Sequence, residues 1–170
     1  SNLSEINRTQ ELFNELKKIT TENGKIKKGY ENRANYIINQ LSEALGIEID
    51  LNDGVIDSYK EIQKEIDKTI LKKKAEAIVN SQEEAHNNAL SERADAYKRL
   101  NELQTKYNEA AKKANNFDLE ARQAAASLLQ QIKDQQQLIQ GYNEDIAKYD
   151  KNYSLLIENT TASLSELIRN

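Results

Sequence analysis

The chain contains no proline, cysteine, methionine or tryptophan, and only five glycines in 170 residues. Each absence excludes something. Average usage would place roughly eight prolines in this length, and without them nothing obliges a helix to break. Without cysteine there is no disulfide framework and no thiolate metal site, although no compartment follows from that. Apolar residues are also scarce, at 38% with a mean hydropathy of -0.84. That composition favours narrow apolar seams over one thick core. No apolar run approaches the ~18 residues of a membrane span, and no signal-peptide core is present. The net charge is -4, with 31% charged residues of both signs interspersed. A general nucleic-acid binder needs a basic footprint, which this chain lacks.

What the sequence does have is helical periodicity. Ser58 to Ala114 runs without glycine, and a helix of that length would reach roughly 85 Å at about 1.5 Å per residue. Such a helix must find partner helices along its length. Ser58 and Glu61 have the spacing of a capping box that would open it. Tyr59, Ile62, Ile66, Ile70 and Leu71 give it an apolar start. Ala75, Ile78, Ala85, Ala89 and Ala96 mark a thin middle, and Leu100, Leu103 and Tyr107 thicken its end.

Asn115-Asn116 interrupts this run, and asparagine is a good cap and a poor helix-interior residue. From Asp118 to about Ile157 the apolar pattern steps by three and four. It passes through Ala125, Leu128, Ile132, Gln135, Ile139, Tyr142, Ile146, Tyr149, Tyr153 and Leu156, a sustained heptad seam. If the chain reverses at Asn115-Asn116, residues whose numbers sum to about 233 face each other, and small residues of the first arm meet large ones of the second.

Before the long helix, Ser4 to about Asn23 and Tyr30 to Leu45 read as two shorter helices, stopped at Asn23-Gly24 and Gly46. Ile47, Ile49 and Leu51 alternate with acidic residues as in a short strand, and Asn52-Asp53-Gly54 signals a turn. With no second strand evident, this stretch reads as an ordered connector. Glu158 to Ala162 is a break, and Ser163 with Glu166 caps a short last helix.

The expected fold is therefore all-α: a long antiparallel coiled-coil hairpin with a small helical bundle at its base. Residues 1–56 supply two short helices plus an ordered connector covering the base of the stalk. Residues 57–157 form the hairpin, with its turn near 115–117, and 158–170 the terminal helix.

No residue pattern carries enzyme chemistry, and no catalytic, cofactor-binding or metal-binding residue is assigned. His86 is the one histidine, and its neighbours Glu83, Glu84 and Asn87 make it read as a solvated helix residue. Asp50, Asn52, Asp53 and Glu61 superficially suggest a calcium loop, but the glycine and the twelfth ligand fall out of register. Lys60, Lys64, Lys68 and Lys72, followed by Lys73 and Lys74, read as a solvated face or as a dock for an anionic partner. Asn7, Asn152 and Asn159 match the glycosylation acceptor as chance matches in an asparagine-rich chain. Tyr142, Tyr149 and Tyr153 read as seam packing. Ser1-Asn2, in place of methionine, suggests the remnant of a cleaved tag and a piece of a longer protein.

Tyr30-Glu-Asn-Arg33 and Tyr36-Ile-Ile-Asn-Gln-Leu-Ser-Glu-Ala-Leu-Gly46 carry a further signal. So do Asp53-Gly-Val-Ile-Asp-Ser-Tyr59, Ile66-Asp-Lys-Thr-Ile-Leu-Lys-Lys-Lys-Ala75, Glu84-Ala85 and Ile146-Ala-Lys-Tyr149. In these segments the chain resembles the tail-length tape measure proteins of long-tailed phages and prophages of Gram-positive bacteria. The resemblance implies a non-catalytic helical spacer that sets tail length during tail assembly. It would lie in the virion tail after synthesis in the bacterial cytoplasm. Its implied partners are itself or adjacent helical segments of a longer chain, together with tail-tube and tail-assembly proteins. The rival expectation is a coiled-coil adaptor of a bacterial or phage surface protein or cell-wall hydrolase.

Overall fold

A computed structural model describes residues 2–114 and 118–170. It is all-α, 82% helix, with two long helices packed antiparallel as a hairpin and shorter helices alongside. The order is α1 (Leu3–Lys18), α2 (Glu31–Leu45), β1 (Leu51–Asn52), β2 (Val55–Ile56), α3 (Tyr59–Ala114), α4 (Leu119–Glu158) and α5 (Thr161–Arg169). The expected turn at Asn115-Asn116 lies outside the described residues.

The chain divides into two compact units, residues 1–81 with 153–170, and residues 82–152. The first unit has a conventional core. Phe13 and Leu16 of α1, Ile37 and Leu41 of α2, Ile56, and Ile66 and Ile70 of α3 are all almost fully buried in one cluster. The apolar start of α3 therefore belongs with the short helices, because Tyr59, Ile66 and Ile70 bury against them. Leu164 and Leu167 of α5 are also fully buried.

The helix ends and the connector depart from their expected places. Asn2 caps α1, its side chain accepting from the Glu5 N–H at 3.0 Å, where Ser4 had been expected. The helix stops at Lys18 because the chain turns back on itself. Thr20 bridges Ile26, the Gly24 N–H donates to the Thr21 carbonyl at 3.0 Å, and Gly24 takes a φ of 88°. Asn23-Gly24 is thus the corner of a tight loop, not a helix stop.

The connector also folds further than expected. Leu51 pairs with Ile56 and Asn52 with Val55 in an antiparallel hairpin. Its two-residue turn is Asp53-Gly54, with φ of 51° and 75°, a turn that needs left-handed conformations at both positions. Lys25 bridges Val55, and the Ile26 N–H donates to the Gly54 carbonyl at 2.9 Å. The missing second strand was Val55-Ile56, too short to show periodicity.

Ser58 does not form the expected capping box. Its φ is 51°, whereas a capping residue is extended. At α5 the cap is Thr160, paired reciprocally with Ser163, so the box lies three residues earlier than Ser163–Glu166. Asn159, with φ of 57°, supplies the break before it.

Candidate functional site

In residues 82–152 the seam must be built from what α3 offers, and α3 offers little apolar surface. Its seam runs through Gln82, His86, Ala89, Arg93, Ala96, Leu100 and Leu103, each buried or half-buried. These positions step by four and three, as a heptad does. The expected Ala85 is exposed. Further up α3, in the first unit, Val79 (3% exposed) takes the place expected for Ile78. A search for apolar residues passes over Gln82, His86 and Arg93, because polar side chains occupy these seam positions.

Opposite them, α4 presents Ile132, Gln135, Ile139, Tyr142, Ile146, Tyr149 and Asn152. At the wide end, Leu100 and Leu103 bury with Ile132 and Ile139, and Tyr107, Leu128 and Tyr142 pack against them. Toward the other end, contacts become polar. Gln135 Nε2 donates to the Ala96 carbonyl at 3.2 Å. Arg93 Nη1 donates to Asn143 Oδ1 at 3.0 Å, and Asn152 Nδ2 to Gln82 Oε1 at 3.2 Å. These pairs hold the register expected from a reversal near Asn115-Asn116. Burial pushes the Tyr142 hydroxyl above its ordinary range, and the carboxylate of Glu92 adds to the effect.

His86 is the centre of this polar stretch, not a solvated residue. Its side chain is 14% exposed, and its ring stacks on Tyr149 with centroids 4.0 Å apart and planes inclined by 19°. Its Nε2 is buried without a hydrogen-bond partner. Asp150 Oδ1 lies 3.4 Å from it. Gln82, Ala85, Asp145 and Lys148 complete a shallow hollow of about 190 Å³ around the two rings.

The tyrosines divide. Tyr142 and Tyr149 are half-buried on the seam, while Tyr153 is 49% exposed. Asn152 is buried instead, at 1%, which also makes it unfit as a glycan acceptor in the folded chain. Past Asn152 the helix enters the other compact unit, and there Leu155 is buried more deeply than Leu156.

Of the lysines expected along α3, Lys60, Lys64, Lys68, Lys73 and Lys74 line separate hollows of the first unit, and Lys72 is exposed. Lys64, Lys68 and Lys74 line a groove of about 530 Å³ with Asp67, Leu71, Gln10 and Thr161. Lys60 faces Lys17, Thr21 and Asn23, and Lys73 faces Glu5, Thr9 and Ala44. Elsewhere in this unit Arg33 Nη2 donates to Glu15 Oε1 at 2.8 Å. That guanidinium holds the Glu15 carboxyl below its usual range.

Among the described residues, no group of three or more histidine or acidic side chains could hold a metal ion. None of the described helices is long and apolar enough to cross a membrane. No protein-family model matches the chain, and neither a curated protein nor a solved structure shows significant similarity to it.

Proposed function

We propose that this chain is a non-catalytic, helical spacer segment of a phage or prophage tail tape measure protein. The observation that supports this reading most is the antiparallel pairing of a 56-residue helix with a 40-residue helix. Helices of this kind are rulers, since rise per residue times residue count fixes a length. The sequence segments that resemble tape measure proteins point the same way. Tail-tube and tail-assembly proteins would be its partners, and the virion tail its place.

In the phage, deleting residues 82–95 together with 139–152 removes two heptads from each arm and keeps the arms in register. Tails measured by electron microscopy should shorten by about 20 Å if the segment serves as a hairpin, or about 40 Å if it serves extended. Tails of unchanged length would contradict the reading. A second reading, a coiled-coil adaptor on a surface protein or cell-wall hydrolase, is favoured by the lysine-lined groove at Lys64, Lys68 and Lys74.

A further inference from the structure

Two surface features have no explanation in the packing of the chain on itself. The first is the groove along α3, where Lys64, Lys68 and Lys74 surround the half-buried Leu71. Among the described residues no carboxylate pairs with any of these lysines, and Asp67 is the one acidic side chain lining the groove. The second is a stripe on α4. Asp134, Leu138, Gly141 and Asp145 are all exposed, and at 3.6 residues per turn they fall within about 60° of one another on the helix surface. Leu138 is 48% exposed. A glycine in mid-helix weakens it, and a Cβ on Gly141 would meet nothing within 4 Å. The fold of one chain therefore does not require that glycine.

The two features are complementary. With the helices antiparallel, Lys64 falls opposite Asp145, Lys68 opposite Gly141, Leu71 opposite Leu138, and Lys74 beside Asp134. Lysines meet carboxylates at both ends and leucine meets leucine between them. The long Lys68 side chain crosses α4 where α4 has no side chain. One turn further on, Glu61 falls opposite Lys148, and both are exposed. With the helices parallel, Lys68 would face Leu138 and Leu71 would face Gly141, and the apolar pair would be lost. Within one chain this part of α4 is bonded to Arg93 and Ala96 of α3. The segment 64–74 that matches the stripe must therefore come from another copy.

We propose that the α3 groove of one copy receives the α4 stripe of a second copy. The two surfaces differ, so the contact is head-to-tail, and each copy keeps one free groove or stripe for the next. A contact of about three helical turns is small, and exposed ion pairs add little each, so the association is weak and salt-sensitive. The inference goes beyond the spacer reading and does not depend on it. It gives the groove an occupant other than the one an adaptor would need.

Sedimentation of the full chain tests it. At low salt the wild type should be monomeric at about 10 µM, and its mean mass should rise at least about 1.5-fold by about 1 mM. About 500 mM salt should abolish the rise. A groove variant (Lys64→Glu, Lys68→Glu, Lys74→Glu) and a stripe variant (Asp134→Lys, Asp145→Lys) should each stay monomeric, with helicity by circular dichroism unchanged. Mixed in equal amounts they should associate again, because each then meets a surface of opposite charge. Gly141→Gln should raise the melting temperature, as a better helix former, yet weaken association at least about tenfold by placing a side chain under Lys68. A wild type that is monomeric at about 1 mM overturns the proposal. So does association that survives in the stripe variant or in Gly141→Gln, or a mixture no heavier than its parts.

Discussion

Asn152 donates its side-chain amide to Gln82 across the two arms of the hairpin at 3.2 Å, and Asn152 is 1% exposed. A buried amide pair in a seam is worth little as net stability but specifies register, because any slip leaves both amides unpaired. Asn152→Leu should therefore leave the melting temperature equal or higher. It should also allow misregistered or multimeric helices, visible by light scattering as species heavier than the monomer that the wild type lacks. An unchanged, uniquely folded variant would show that register is set elsewhere.

The stack of His86 on Tyr149 makes its own prediction. Tyr149→Asp replaces an aromatic seam residue with a charge beside Asp145 and Asp150, both exposed on the same helix. Loss of the stack alone is worth about 0.5–1.5 kcal/mol, and the added carboxylate should bring the total to about 2 kcal/mol. Local unfolding of residues 82–96, followed by hydrogen exchange, should become easier. Exchange indistinguishable from wild type would mean that the ring contributes nothing to closure.

How much of this was readable in advance differs between the two arms. On α4 the heptads through Ile132, Ile139, Ile146 and Tyr149 are apolar and regular, so periodicity located them. On α3 the seam carries Gln82, His86 and Arg93, and an apolar search moves to Ala85, on the wrong face. Polar residues on a buried stripe are recognised only from the facing helix, since Asn143, Tyr149 and Asn152 are what make them seam residues. The small β-hairpin was hidden for another reason. Val55-Ile56 is two residues long, and only the Asp53-Gly54 turn announced it. The polar site around Nε2 of His86 was not legible at all, because Asp150 is distant in sequence.

Gly24 should be irreplaceable in a way that Gly54 is not. Both have positive φ, 88° and 75°. A Cβ on Gly24 would lie 2.8 Å from Tyr59 Cβ and 2.9 Å from the Ile56 carbonyl oxygen, whereas one on Gly54 meets nothing within 4 Å. Gly24→Ala should cost about 3 kcal/mol, and Gly54→Ala about 1 kcal/mol from backbone strain alone. Urea unfolding of the two variants measures the difference. Equal losses would show that the loop relaxes away from Tyr59.

The ion pair of Arg33 with Glu15 predicts a pH dependence. The guanidinium's hydrogen bonds lower the Glu15 carboxyl value in the folded chain. A depressed carboxyl contributes stability above its unfolded value, near pH 4.3, and loses it as pH falls through the lower folded value. Both side chains are partly exposed, so the contribution is small. Arg33→Gln should move the Glu15 titration, followed by carboxyl NMR shifts, upward toward the ordinary range. An unmoved titration would mean the pair does not persist in solution.

The antiparallel pairing of α3 with α4 defines the fold. The chain has no cysteine, so a Ser91→Cys, Glu144→Cys variant takes spin labels at two exposed positions only. Electron–electron distance measurement, with the labelled chain diluted in unlabelled protein, should give about 30 Å or less between the outer faces of two packed helices. A distance near 80 Å, the span of a continuous helix between those positions, would contradict it.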